Sequence, residues 1–322
     1  MRHLPRATVA ALLALPLALL AAAPAQAADP TTLTSGFYVD PNSSPALWAA
    51  ANPGDGRAPA IRDNIATKPM ARWFGNWSGT IGTATGAYVG AADAQDKLPV
   101  LVAYNIPNRD ICGGQSGGGA GSVNAYNEWI AAFADGIGAR PSVVILEPDS
   151  LGDTSCMTAA QITERNALLN NAITQFNAKA PNTWVYLDAG NPAWRSATEM
   201  AASLNAAGLS RTRGFSLNVS NHFSTAQNIT YADAVNAALR STGGYTKPFV
   251  VDTSRNGNGS NNAEWCNSAG RRIGATTQQG GGAEMLLWVK TPGESDGNCG
   301  VGAGSVAGQF LPEVAYRAIY GY

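Results

Sequence analysis

The chain has 322 residues, 45% hydrophobic and only 13% charged, with 21 Lys and Arg against 22 Asp and Glu. Abundant aliphatic and aromatic side chains argue against a disordered chain, and the lack of a basic block argues against a nucleic-acid partner. A barrel of about 250 residues folds as one domain, so a single large core is within reach.

The first 27 residues read as an export signal. Arg2 and Arg6 precede the apolar run from Val9 to Leu20, and Ala25-Gln26-Ala27 supplies a small-residue cleavage site. The run is too short to span a bilayer, which takes about 20 apolar residues. Residues 28–322 are therefore expected as one secreted domain, free of the membrane once the signal is removed. No Pro/Thr or Gly/Ser hinge divides it, so no carbohydrate-binding module or other second domain is expected.

Short apolar runs then alternate with helical patterns. Predicted strands are Gly36–Val39, Ala71–Phe74, Val100–Tyr104, Val143–Leu146, Trp184–Leu187, Gly214–Leu217, Phe249–Val251 and Met285–Val289. Predicted helices are Ser122–Gly136, Thr158–Ala178, Ala197–Ala206, Tyr231–Ser241 and Leu311–Ile319. Such alternation makes parallel βαβ units, and runs that are apolar at nearly every position suit strands covered on both faces. The strand count predicts an α/β barrel, closed or nearly closed. Gly113–Gly121, Asn256–Asn262 and Gln278–Gly282 read as loops. The first has no following Gly-Lys-Ser/Thr, which argues against a phosphate-cradling loop.

The strand ends carry polar or aromatic residues almost without exception: Asp40, Trp73, Tyr104-Asn105, Glu147-Pro148-Asp149, Asp188, Asn218-Val219-Ser220, Asp252 to Arg255, and Lys290. Such barrels place their active sites at this end. Turn chemistry explains one or two of these residues, but less well a carboxylate or large aromatic at nearly every end. Asp110, Asp149, Asp188 and Asp296 stand out. Carboxylates around one mouth resist joint ionisation, so one becomes a proton donor while another stays a base. That is the equipment of glycoside hydrolysis.

Four cysteines, Cys112, Cys156, Cys266 and Cys299, imply two disulfides with three possible connectivities. Sequential pairing, Cys112–Cys156 and Cys266–Cys299, is expected, and would pin the loops that carry Asp110, Asp149 and Asp296. No C-x-x-C spacing occurs and only His222 survives processing, which argues against a zinc site. Trp73, Trp77, Trp194 and Trp265 lie in polar contexts that suit stacking on sugar rings. Trp48, Trp129, Trp184 and Trp288 follow helix or strand patterns and read as core. Acids, open aromatics and low net charge together suit a neutral polysaccharide.

Five motifs sharpen this reading: Tyr104-Asn-Ile-Pro-Asn-Arg-Asp110, Val144-Ile-Leu-Glu-Pro-Asp149, Leu187-Asp-Ala-Gly190, Val251-Asp-Thr-Ser-Arg-Asn-Gly257 and Trp288-Val-Lys-Thr-Pro-Gly-Glu-Ser-Asp296-Gly. Their kind and order resemble glycoside hydrolase family 6, from about Gly36 to the C-terminus. The resemblance implies a distorted, incompletely closed (β/α) barrel with seven to eight mostly parallel strands, cleaving β-1,4-glucan with inversion. It implies Asp149 as general acid, Asp110 as the neighbour that raises its pKa, and Asp296 as base. Arg255 and Lys290 would keep Asp296 ionised, and Arg109 would add supporting charge. Tyr104 would crowd the sugar ring, and Ser220 would help hold the attacking water. Trp73, Asp188, Asn191, Trp194, Trp265, Lys290 and Glu294 would line the subsites. Two positions depart from the pattern: Ile111 is inserted before Cys112, and Asn191 stands where many members have His. The mature chain leaves little length to roof the site, which favours internal cutting. A cellobiohydrolase with short loops and a catalytically silent glucan-binding barrel are the alternatives. The expected partner is a cellulose or cellodextrin chain bound by a monomer that needs no metal or organic cofactor.

Overall fold

A computed structural model describes Met1 and residues 28–260 and 265–322; the expected signal, from residue 2 to 27, and residues 261 and 262 of one predicted loop lie outside the described residues. The strands are β1 (Arg72–Phe74), β2 (Val100–Ala103), β3 (Ser142–Leu146), β4 (Thr183–Asp188), β5 (Gly214–Leu217), β6 (Phe249–Asp252), β7 (Gln278–Gln279) and β8 (Met285–Leu287). The α-helices are α1 (Ser44–Ala51), α2 (Ala58–Ile61), α3 (Ile81–Asp93), α4 (Val123–Ile137), α5 (Ala159–Lys179), α6 (Ala197–Ala206), α7 (Thr225–Gly243) and α8 (Pro312–Tyr320). Among the described residues, no helix is long and apolar enough to cross a membrane.

All strands join one sheet in the order β1-β2-β3-β4-β5-β6-β8-β7, parallel throughout except for the β7–β8 pair. Alternate residues face opposite cores. Leu101, Val144, Leu187 and Phe215 pack outward among the helices, whereas Val102, Ile145, Tyr186 and Val250 pack inside the curl of the sheet. Both faces are dry, which is why the strands show no polar alternation. The curl stops short of closure. Between β1 and the end of β8 no ladder forms; Ala71 N–H donates to Trp288 O and Trp73 Nε1–H to Val289 O, each at 2.8 Å. This is the incompletely closed barrel expected from the sequence.

Several elements differ from expectation. Gly36–Val39 is not a strand but a single parallel bridge, Phe37 to Leu98. Gly36 at φ 120° bends the chain before it, and Pro41 with an Asp40 turn ends it: Asn42 N–H donates to Asp40 Oδ1 at 2.9 Å. The predicted loop Gln278–Gly282 instead opens with β7. Gly280, Gly281 and Gly282, at φ 78°, 79° and 93°, then turn that strand back onto β8, a conformation that glycine adopts without steric cost. Helix α3 was not predicted because Gly82, Gly86 and Gly90 weaken its helical signal. These glycines serve close packing: a Cβ on Gly82 would sit 3.1 Å from Ala132 O of α4. Helix α7 begins at Thr225, earlier than its apolar pattern, because Ser224 and Gln227 form a capping box.

Three buried carboxylates at strand ends fasten the loops that follow. Glu147, turned out of the β3 register at φ 50°, accepts the Asn105 and Ile106 amides at 2.9 Å. Asp188 accepts the Asp149 amide at 3.0 Å, the Gly190 amide at 3.1 Å and the Ser216 hydroxyl at 3.1 Å. Asp252 accepts four amides, from Ser220, Ser254, Val289 and Lys290, at 2.9–3.2 Å.

Asp252→Ala would strand those four amide donors. Leaving one buried polar group unpaired costs about 1–3 kcal/mol, so the variant should lose at least ~3 kcal/mol of stability. Calorimetry should show a fall in Tm of roughly 6–12 °C. A Tm within a degree or two of wild type would refute the anchoring role of this carboxylate.

Candidate active site

The loops after the strand C-termini surround a trench made of two joined volumes. The larger, about 670 Å³, is lined by Tyr104, Asp110, Asp149, Asn191, Trp194, Ser220, Trp265, Lys290 and Asp296. The smaller, about 570 Å³, holds Trp73, Arg109 and Glu294 and meets the first at Ser116 and Lys290. Of the catalytic, substrate-binding and supporting residues expected from the sequence, Asp188 and Arg255 stand behind the lining.

Asp149 follows β3 with its backbone in the left-handed region, φ 70°. Its amide is held by Asp188 and its side chain is directed to the cleft. Burial, then the charges of Asp110, Asp188, Asp153 and Asp296, push its pKa well above the ordinary carboxyl range. Asp110 stands on the neighbouring loop, accepting the Tyr104 hydroxyl at 3.2 Å and the Ser116 amide at 2.9 Å. Burial raises its pKa too, against the pull of these two donors. The inserted Ile111 leaves Asp110 in the cleft and points outward, 41% exposed.

Asp296 has the opposite surroundings. Arg255 Nη1 and the Asn267 amide reach its Oδ2 at 2.8 and 2.9 Å, and Lys290 Nζ lies 3.6 Å from Oδ1. Burial works to raise its pKa, but Arg255 and Lys290 outweigh it and hold the carboxyl below its ordinary value. Arg255 also donates to Ser220 O, so one guanidinium joins two walls of the cleft.

The remaining residues frame these acids. Arg109 donates to Tyr104 O and Ser116 O, and its guanidinium lies 4.4 Å from the Tyr104 ring centre. It supports the site by stacking and carbonyl contacts; no ion pair joins it to Asp110. Trp73 meets Tyr104 edge-on at 5.1 Å. Glu294 accepts the Ser44 hydroxyl at 2.6 Å. Asn191 accepts the Ala193 amide at 3.1 Å and so caps the turn that presents Trp194. Trp194 and Trp265 are 39% and 42% exposed, open enough to receive a sugar face. Asp188 is fully buried with its oxygens on amides and a hydroxyl, so it acts on the cleft through Asp149.

Both disulfides have the expected partners. Cys112–Cys156 ties the Asp110 loop to the Asp149 loop, and Cys266–Cys299 ties the Trp265 segment to the Asp296 loop.

Sequence reasoning missed five contributors. Ser116 touches both volumes and Asp110. Asp153 lines the larger volume and accepts the Cys112 amide at 3.1 Å. Arg165, on α5, donates to the carbonyls of Asn108, Ser150 and Asp153 and so joins the two acid loops. Asn267 exchanges two hydrogen bonds with Asp296. His222 meets Trp265 O at 3.1 Å; burial, then Arg255, lower its pKa to about 3, so it stays neutral near pH 7. Only Asn267 had a sequence signal, its place beside Cys266.

The comparisons with known proteins agree with this geometry. Residues 33–314 match the family described as Glycosyl hydrolases family 6. Endoglucanase 1 of Streptomyces halstedii is 70% identical over 317 residues, 98% of each chain. Endoglucanase A of Thermobispora bispora is 44% identical over 306 residues, 93% of this chain and 64% of that protein. Among solved structures, an endoglucanase from Mycobacterium tuberculosis in complex with methyl-cellobiosyl-4-deoxy-4-thio-β-D-cellobioside is similar at a TM-score of 0.82. Its identity is 38%, covering 91% of this chain and 99% of that one. Matched along most of its length, the chain belongs to glycosyl hydrolases family 6.

Proposed function

We propose that this protein is an endo-β-1,4-glucanase that hydrolyses internal bonds of cellulose and related β-glucans with inversion. The observation that carries the reading is a pair of carboxyl groups with opposite proton affinities in one cleft: Asp149 pushed up and Asp296 held down. Titratable pairs driven apart by their surroundings mark an acid and a base.

In this reading Asp149, protonated at working pH, donates to the glycosidic oxygen as the bond breaks. Asp110, set against Tyr104, keeps that proton in place by like-charge repulsion. Asp296, ionised, draws a proton from the attacking water, directly or along a water chain. Inversion requires room for that water, a carboxyl separation of roughly 6.5–9.5 Å. Tyr104 crowds the sugar at the cleavage point, and Ser220, its carbonyl pinned by Arg255, helps position the water. Trp194 and Trp265 offer stacking faces to either side.

Internal cutting is favoured by the relatives: the 70% identical protein is named an endoglucanase, whereas one named a cellobiohydrolase is 28% identical. The presence of both acids in one cleft disfavours a silent binder. Secretion fits the N-terminal pattern and two disulfides, which persist in oxidising compartments.

Asp149→Ala should cut turnover of carboxymethylcellulose by about 10²–10⁴-fold, the usual share of general acid catalysis. The loss should be smaller on an aryl cellobioside whose leaving group needs no proton, with Tm close to wild type. Near wild-type turnover of cellulose by the purified variant would refute the assignment.

The pH profile of kcat supplies a second test. Activity needs Asp149 protonated and Asp296 ionised, so the alkaline limb belongs to the raised group and the acid limb to the lowered one. Arg255→Met removes the guanidinium beside Asp296, so the acid limb should move to higher pH. Asp110→Asn removes the like charge beside Asp149, so the alkaline limb should move to lower pH. Limbs that stay in place in both variants would contradict the two roles.

A further inference from the structure

The smaller volume of the trench extends past Trp73 and Glu294 to residues with no part in the reaction described above. One of them, Trp77, is 56% exposed in a glycine-serine turn. Ser78 N–H donates to Gly75 O at 3.0 Å, and Gly75 N–H donates to Ser78 Oγ at 3.1 Å, closing that turn. The indole is flanked on two sides. It lies against Gly75, where a Cβ would sit 2.4 Å from the ring, and beside the Arg109 guanidinium, 5.3 Å from the ring centre. The same guanidinium lies against Tyr104. Polar groups line the wall nearby, among them Asp40, Asn42 and Arg72. A large, half-open aromatic beside hydroxyl-binding groups is what an additional pyranose ring requires.

We propose that Trp77 is the stacking platform of a distal glucan subsite, so that the cleft grips one more glucose unit than the residues around the acids alone provide. The Arg109 guanidinium, between Trp77 and Tyr104, links that subsite to the cleavage point. The inference rests on the glucanase reading and extends it to chain-length preference: longer cellodextrins reach Trp77 and shorter ones do not.

The test compares kcat/KM on cellotetraose, cellopentaose and cellohexaose for wild type, Trp77→Ala and Trp77→Phe. In wild type, the chain that first reaches Trp77 should be cleaved about tenfold better than the one before it, the ratio a single well-stacked ring supplies. Trp77→Ala should bring that ratio close to one, and Trp77→Phe should restore part of it. Calorimetric binding of cellohexaose to Asp149→Ala, with and without Trp77→Ala, should show a matching loss of affinity. An unchanged ratio would overturn the subsite, as would an equal loss on every chain length, which would mean that Trp77 only props Arg109. If wild type cleaved none of the three sugars, the glucanase reading would fail. The binding arm would still decide whether Trp77 grips a glucan.

Discussion

The site depends on carboxylates that never meet the cleft. At the ends of β3, β4 and β6, Glu147, Asp188 and Asp252 are buried and turned onto backbone amides of adjoining loops. Loops cannot otherwise leave their amides in a dry interior. Each acid thereby fixes the path of a loop to the edge of the sheet, and the sheet is rigid because both faces are packed. Asp188 holds the amide of Asp149, and Asp252 holds those of Ser220 and Lys290. The cleft is thus positioned by charge-assisted hydrogen bonds rather than by apolar contact alone.

On that frame the same residue type acquires two characters. Asp149 and Asp296 differ only in what surrounds them. The first lies among other acids, and the second between Arg255, Lys290 and the Asn267 amide. Neither state would survive in water, where both carboxyl groups would ionise together. Burial makes the difference large, because interactions between charges strengthen as solvent is excluded. The disulfides and Arg165 then keep the acid loops at a constant spacing, which matters because small displacements of reacting groups carry large rate penalties.

Much of this was legible in the sequence, and the gaps have identifiable causes. Strands such as Val143–Leu146 announce themselves because both their faces are buried. The acids stand out because each follows such a strand, and Asp110, Asp149 and Asp296 each precede a cysteine. Helix α3 stayed hidden because its glycines serve helix–helix contact, and helix propensity cannot register a partner. The bridge at Phe37 looked like a strand because its apolar residues do pair, though only once. Arg165 and His222 act through backbone carbonyls brought close only by folding, so no local pattern marks them. Asp188 was read as a sugar contact because sequence gives the strand end but not the direction a carboxylate faces there.

The unclosed seam between β1 and β8 has a mechanical consequence. Elsewhere around the sheet, widening the cleft would mean tearing a ladder of parallel strands. At the seam it means stretching the bonds from Ala71 to Trp288, from Trp73 to Val289 and from Thr277 to Pro69, each contributing about 0.5–1.5 kcal/mol net, and parting the apolar contact of Met70 with Trp288. The side that carries Trp73 and Lys290 is therefore held by fewer backbone bonds than the wall of Asp149 and Asp188. The proton donor thus stands on the continuous ladder of the sheet, away from the one place where the ladder is broken.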